Sequence, residues 1–335
     1  MIGISETTEA RSATAAAESA AVGEAASGQV EVILNAAAGT GECEAARDLL
    51  LRIFAEGGIE ARVTLARGGE EIVRLAREAA GDAGTRVVVA GGGDGTINAV
   101  ASALIGTDKA LGVLPFGTLN HFAKDLRIPL DAEGAARTIV SGRAASVDVG
   151  EVNGRYFLNN SSLGFYPTLV RERERVQERT GVGKWAAFAR ALVAVLRRYP
   201  FVSVRLDADG RQMRRRTPFV FVGNNRYEFD ALGAGRRSRL DAGELCLHAT
   251  RDVGRIGLFR LALRALLGRL TEDRDFDSLS AREVWVETRR ARLRVATDGE
   301  VTVMRTPLRY RIVPGALRVM VPRGEGADSG GGEQN

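Results

Sequence analysis

The chain has 335 residues, of which 45% are apolar, and a formal net charge of +5. At ~150 residues per domain this makes about two globular domains, and the two distant cysteines, Cys43 and Cys246, exclude a disulfide scaffold and a cysteine-spaced metal cluster. No apolar run approaches the ~20 residues of a bilayer-spanning helix and the start lacks a secretion signal, so the expectation is a cytoplasmic protein whose membrane contact is peripheral.

Residues 1–28 are rich in Ala, Ser, Glu and Thr without apolar periodicity and read as a disordered tail. They carry Glu6, Glu9, Glu18 and Glu24 against Arg11, so the rest of the chain is more basic than the total implies. Such a charge suits nucleotides, anionic lipid surfaces or nucleic acid. Over 29–147 short β-type runs alternate with helical patterns. Strands are predicted over 30–34, 61–65, 86–90 and 110–114, and helices over 42–56, 70–80 and 97–104. That alternation implies βαβ units around a parallel sheet.

Beyond residue 147 the pattern changes to closely spaced strands, over 156–159, 202–206, 217–222, 245–249, 284–287 and 293–296. Turns such as Asp207-Ala-Asp-Gly210 separate them, which predicts an antiparallel sandwich or barrel-like domain over 148–323. Two basic amphipathic segments, 184–199 and 256–270, interrupt it as helical insertions, and either could pack on the β domain or rest on an anionic bilayer. Residues 324–335 read as a second disordered tail. Arginine clusters at Arg214 to Arg216, at Arg236, Arg237 and Arg239, and at Arg289, Arg290 and Arg292 have no interleaved aromatics, so no nucleic-acid partner is expected and solvated strand faces are the simplest account.

The chemistry concentrates in Arg86-Val-Val-Val-Ala-Gly-Gly-Gly-Asp-Gly-Thr-Ile-Asn98, where a buried strand runs into three glycines, a carboxylate and a hydroxyl and then into a helix. Glycines let the backbone approach an anion, and free amides at the helix start point at negative charge, so this is a seat for a nucleoside triphosphate. The Lys of a Walker loop is missing, and Thr96 stands where a dinucleotide fingerprint needs Gly. Asn35-Ala-Ala-Ala-Gly39-Thr-Gly41 follows the first strand and Leu114-Pro-Phe-Gly117-Thr118-Leu-Asn120-His121 follows the fourth, so three polar loops are expected to face one crevice.

In order and spacing these segments, with Asp148-Val-Gly-Glu-Val-Asn-Gly-Arg-Tyr-Phe-Leu-Asn159, Ser162-Leu-Gly-Phe165 and Thr297-Asp-Gly-Glu300, resemble the catalytic domain shared by diacylglycerol kinases, sphingosine kinases and their bacterial lipid-kinase relatives. The resemblance implies a Rossmann-like nucleotide domain of the NAD kinase and phosphofructokinase type, a β-sandwich lipid domain and an active site in the cleft between them. It makes Asn35, Gly39, Thr64 after the second strand, Gly92, Gly93, Asp94, Gly95, Thr96, Asn98, Gly117 and Thr118 the ATP contacts. Asp298 becomes the general base on a lipid hydroxyl, with Glu300 beside it, while Asp298-Gly299 also reads as an ordinary hairpin turn. Mg²⁺ accompanies ATP; Asp94 is the candidate metal or catalytic carboxylate, and Asp241 the remnant of a second metal network. Where many bacterial relatives have Asp-Asp-Gly, this chain has Asp241-Ala242-Gly243, and His121 stands where Asp often follows Asn120.

The expected activity is ATP-dependent phosphorylation of diacylglycerol or a related lipid alcohol, by a protein touching the inner face of an anionic membrane. Two other readings are a soluble-metabolite kinase of the NAD kinase type and a catalytically impaired ATP-binding regulator. Which lipid is used stays open, as does oligomeric state, a homodimer included. His248, on an alternating strand, reads as structural.

Overall fold

Runs such as Arg86-Val-Val-Val-Ala90 combine β-branched side chains with two-sided apolarity, which favours a strand covered on both faces. In a computed structural model describing residues 29–37, 42–164, 202–227, 237–250 and 276–323, that run lies inside a buried strand, Thr85–Gly92. The segments 184–199 and 256–270, both tails and Gly39 lie outside the described residues.

The chain divides into two units, Met1–Val147 with Ala316–Asn335, and Asp148–Gly315. The first is built in the order β1 (Gln29–Asn35), α1 (Glu42–Glu56), β2 (Ala61–Ala66), α2 (Gly69–Gly81), β3 (Thr85–Gly92), α3 (Asp94–Leu104), β4 (Ala110–Pro115), α4 (His121–Asp125), α5 (Ala132–Ser141) and the start of β5 (Arg143–Val152). The four leading strands are parallel in the order β2-β1-β3-β4. Val32, Leu34, Val88, Val89, Leu111 and Leu114 are fully buried, each contributing about 1.5–3 kcal/mol. Helix α2 buries Ile72, Ala76 and Ala79 at helical spacing and carries Glu70 and Glu71 in its first turn, where the helix dipole favours them. At the start of α5, Asp131 accepts the Gly134 amide at 2.7 Å as an N-cap.

The second unit continues through β5 into β6 (Arg155–Phe157), β7 (Asn160–Gly164), β8 (Val202–Ala208), β9 (Arg211–Thr217), β10 (Phe219–Asn224), β11 (Leu245–Thr250), β12 (Phe276–Ala281), β13 (Glu283–Thr288), β14 (Arg292–Thr297), β15 (Glu300–Arg305) and β16 (Leu308–Val321). One antiparallel layer runs β12-β11-β10-β7-β14-β15, and in the other β13 pairs with β16 and β8, and β8 with β9. Val220, Val222, Leu247 and Val295 from the first meet Val204, Leu206, Val284 and Tyr310 from the second in a single apolar core, which makes this unit a β-sandwich.

Of the boundaries that differ from the sequence reading, two bear on the site. Residues after Gly315 belong to the first unit rather than the second, because Arg318 and Val319 of β16 pair in parallel with Ala110 and Leu111 of β4. The strand expected over 156–159 breaks at Leu158 and Asn159, between β6 and β7.

Candidate active site

The phosphate seat expected from the sequence begins where β1, β3 and β4 end together: Leu34 pairs with Gly91, Gly91 with Leu114 and Gly92 with Pro115. The strand order reverses between β1 and β3, the point at which parallel sheets open a crevice. Asn35, the last residue of β1, accepts the Ala37 amide at 3.0 Å and donates to the Thr96 hydroxyl at 3.0 Å, tying the first loop to the start of α3. The third loop joins through bare backbone. A Cβ on Gly117 would lie 2.6 Å from the Gly93 Cα, and one on Gly92 would lie 2.6 Å from the Thr96 hydroxyl, so both positions need glycine for close approach. Phe116 also donates its amide to the Gly92 carbonyl at 3.1 Å.

Asn120 holds this third loop, a role that reading the residues one at a time missed. It sits in the left-handed region at φ 49 and accepts the Gly117 amide at 3.0 Å. Its amide nitrogen donates to the carbonyls of Pro115 at 3.0 Å and Gly117 at 2.8 Å. The signal lay in the sequence, since Asn tolerates left-handed backbone and bonds its own neighbourhood.

Helix α3 therefore starts in a glycine-lined notch. Gly93 is its N-cap without any side-chain cap bond, the Ile97 amide is first to reach back, to the Gly93 carbonyl at 3.1 Å, and the Cβ position of Gly95 faces open space. First-turn amides with a favourable helix dipole behind them are an anion site. Asp94 and Asn98, one turn apart, each hold a buried Oδ1 with no hydrogen-bond partner. Orphaned oxygens of this kind fit a hard cation or its waters, so the seat suits Mg²⁺.

The remaining expected contacts divide. Thr118 is exposed at the loop tip. Thr64 lies within β2 rather than after it, its hydroxyl donating at 3.3 Å to Glu31, which is also paired with Arg62, so among the described residues its side chain is engaged away from the three loops. Asp241 is exposed and bonded to Arg239 at 3.0 Å, and with Ala242 beside it no second carboxylate completes a metal set. Among the described residues no group of three His, Cys, Asp or Glu could hold a metal there. The loop is instead fixed by Asn225, which accepts the Ala242 amide at 3.0 Å, and by buried Asp148, which accepts the amides of Gly243 at 2.7 Å and Gly315 at 2.8 Å.

In the second unit, Asp298 and Gly299 form the hairpin turn between β14 and β15 with φ of 47 and 86, the two positive values such a turn requires. Asp298 is half-buried, and its carboxylate gathers the backbone amides exposed by the strand break. Oδ2 accepts from Leu158 at 2.7 Å, and Oδ1 accepts from Asn159 at 2.9 Å and Asn160 at 3.0 Å. Burial pushes this carboxyl above the usual carboxylate range, against the three amides and the charge of Arg237, which hold it down. Glu300 does not join this cluster; it is exposed and bonded to Arg155 at 2.6 Å. Arg237, read from sequence as part of a solvated arginine cluster, is 4% exposed and lies in the Asp298 neighbourhood. His248 is buried, bonded to Cys246 Sγ at 2.9 Å and to the Ser278 hydroxyl at 2.8 Å, while His121 is exposed.

A glycine-flanked helix start at the carboxyl ends of a parallel sheet, in a chain whose other unit is an antiparallel sandwich, defines a protein with one α/β unit and one β-sandwich unit. Residues 29–152 match the diacylglycerol kinase catalytic domain, and residues 169–321 match the YegS C-terminal NAD kinase beta sandwich-like domain. A Pseudomonas aeruginosa PAO1 protein named "Probable lipid kinase YegS-like" is 34% identical over 296 residues, spanning 84% of this chain and 87% of the relative. One of the same name from Cronobacter sakazakii is 32% identical over 282 residues, spanning 79% and 86%. The fold is shared with a diacylglycerol kinase from Bacillus anthracis str. Sterne, at a TM-score of 0.66 and 19% identity over 88% of this chain and 96% of that one. The chain belongs to the diacylglycerol kinase-like family of lipid kinases, which makes ATP its phosphate donor. Among the described residues no helix is long and apolar enough to cross a membrane.

Proposed function

We propose that this protein transfers the γ-phosphate of ATP to a hydroxyl of diacylglycerol or a related lipid, with Asp298 as general base. One observation carries it: the uncapped start of α3, bounded by Gly93, Gly95 and Gly117, offers main-chain donors to an oligophosphate. Phosphoryl transfer proceeds through a loose transition state, so alignment and charge neutralisation supply most of the catalysis. The lipid oxygen forms a bond to the γ-phosphorus as the bond to the β-phosphate oxygen breaks, ADP leaves, and the hydroxyl proton passes to Asp298.

The hydrogen bonds select the accepting atom. Each carboxylate oxygen has two lone-pair directions; Oδ1 spends both on Asn159 and Asn160, whereas among the described residues Oδ2 accepts only from Leu158. This supports Oδ2 as the oxygen to which we assign the proton. The Asp94 carboxylate would repel phosphate lodged on the α3 amides, a repulsion that a cation would offset. Asp94 and Asn98 would hold Mg²⁺, which when bound neutralises phosphate oxygens. A lipid acceptor also implies docking on an anionic membrane, in keeping with the net charge of +5.

The test is a radiolabelled ATP assay with Mg²⁺ and a panel of lipid alcohols in mixed micelles, with NAD as a soluble comparison. Label in a lipid product is expected, alongside co-sedimentation of the protein with anionic vesicles. Label only in the soluble acceptor would replace the lipid reading with a metabolite kinase, and ATP binding without transfer to any acceptor would end the enzyme reading.

A further inference from the structure

A single peptide group lies between a buried cation and the proposed base. Its carbonyl, Leu158 O, accepts Nη1 of Arg237 at 2.6 Å, and its amide, Asn159 N, donates to Asp298 Oδ1 at 2.9 Å. The same guanidinium bonds the Asn159 side-chain oxygen through Nη2 at 2.8 Å and the Asn224 carbonyl through Nη1 at 3.1 Å, and its Cζ lies 5.3 Å from the ring centre of Tyr227. Asn224 supports the arrangement from the other side. Its side-chain nitrogen donates to Leu158 O at 2.8 Å and to Asp148 O at 2.8 Å, and its own amide donates to the Asn159 carbonyl at 2.9 Å. The next peptide group is thus polarised in the same sense, since the Asn160 amide donates to Asp298 Oδ1 at 3.0 Å.

Arg237 is buried and its guanidinium is held by the oxygens of Leu158, Asn159 and Asn224, which fixes its charge behind the Leu158–Asn159 peptide group. Its guanidinium withdraws electron density through the Leu158 carbonyl and makes the Asn159 amide a stronger donor to the carboxylate, because hydrogen bonds in series polarise one another. Among the described residues Arg237 is the charged group acting on Asp298, the nearby Glu300 being taken by Arg155 at 2.6 Å. We infer that Arg237 is a positioning residue that keeps Asp298 ionised, and so ready to accept a proton, through the Leu158–Asn159 peptide group. Burial alone would leave the carboxyl protonated over more of the working pH range; the cation behind the peptide offsets this without itself bonding Oδ2.

This rests on Asp298 as base, so the experiment reads the carboxyl separately from turnover. The Asp298 carboxyl carbon is followed by ¹³C NMR across pH in the full chain, its signal assigned by its loss in Asp298→Asn, and the pH profile of kcat/KM is measured in parallel. In Arg237→Gln the titration should move up by a fraction of a pH unit, less than the ~1 unit or more that an opposite charge in direct contact produces, and the acid limb of kcat/KM should move with it. A titration that stays in place in the folded variant overturns the inference, since a purely structural arginine would lower the melting temperature without moving it. If the titration moves while the acid limb does not, Arg237 keeps its role toward Asp298 and the base assignment fails instead. Where Arg237→Gln does not fold, Arg237→Lys keeps the charge but not the planar fork. An unmoved titration in that variant is what a charge role predicts, so the decisive substitute is Arg237→Met, uncharged and of similar length, in which the same upward movement is expected and no movement overturns the inference.

Discussion

The phosphate seat and the Asp298 cluster are made in opposite ways. The seat uses consecutive residues at strand ends, and its loops touch through atoms that glycine leaves bare, as at Gly93 and Gly117. The Asp298 cluster draws on Asp298, Leu158 to Asn160, Asn224 and Arg237, joined by hydrogen bonds spanning 138 to 140 positions for the carboxylate and 78 to 79 for the arginine's bonds to Leu158 and Asn159. The seat needs only the parallel sheet that brings its loops together, and it leaves no room for a methyl at Gly92 or Gly117. The Asp298 cluster exists only once the sandwich has closed.

The largest test of this contrast is Asp298→Asn, which should cut turnover by about 10²–10⁴-fold while sparing ATP affinity. It should also lower stability by about 1–3 kcal/mol, because an amide nitrogen would face backbone donors; turnover in mixed micelles and ATP titration calorimetry check both. Its pH signature has a definite sign. Since the folded carboxyl sits above its unfolded value, its stabilising contribution is complete below about pH 4 and is lost as pH rises through the folded value. Stability should accordingly depend less on pH in the variant over that window, and the acid limb of wild-type kcat/KM should lie above the usual carboxylate range. An acid limb at the ordinary position would detach Asp298 from proton transfer.

Next in size is Gly117→Ala. Its methyl would strike the Gly93 Cα at 2.6 Å, with an expected loss of about 1–3 kcal/mol in stability and a clear fall in ATP affinity. Gly95→Ala should behave differently: the site is open and helical, so thermal denaturation should show a gain of about 0.5–1 kcal/mol while ATP binding weakens, because the methyl enters the space a phosphate needs. Unchanged ATP binding in both would remove the nucleotide from this notch. The smallest effect belongs to Glu300→Gln, which loosens an exposed pair with Arg155 and should change stability by less than about 1 kcal/mol and leave turnover close to wild type.

The same contrast governs what the sequence made readable. The strand, glycines and helix over 86–98 were legible because each step of that argument is local, and the alternation of elements yielded the parallel sheet for the same reason. Leu158 and Asn159 looked like strand because nothing nearby says that their amides leave the ladder for a carboxylate far along the chain. Arg237 looked like its neighbour Arg239, which is indeed exposed; only the folded carbonyls of Leu158 and Asn224 tell the two apart. Strand β9 escaped because Arg214 to Arg216 read as a charge cluster, yet it pairs with β8 from Val202↔Thr217 to Ala208↔Arg211, and charge on such an edge discourages further pairing.

The return of β16 to the first unit has a consequence during synthesis. That unit is interrupted: its sheet gains the neighbour of β4 only when residues 316–321, near the carboxyl terminus, are made. Until then the apolar strand Ala-Leu-Gly-Val-Leu-Pro, buried at every position once folding is complete, waits with one bare edge. The nascent nucleotide domain is thus prone to clumping for as long as the ribosome is translating the sandwich, and a version ending at residue 147 would keep that sticky margin for good.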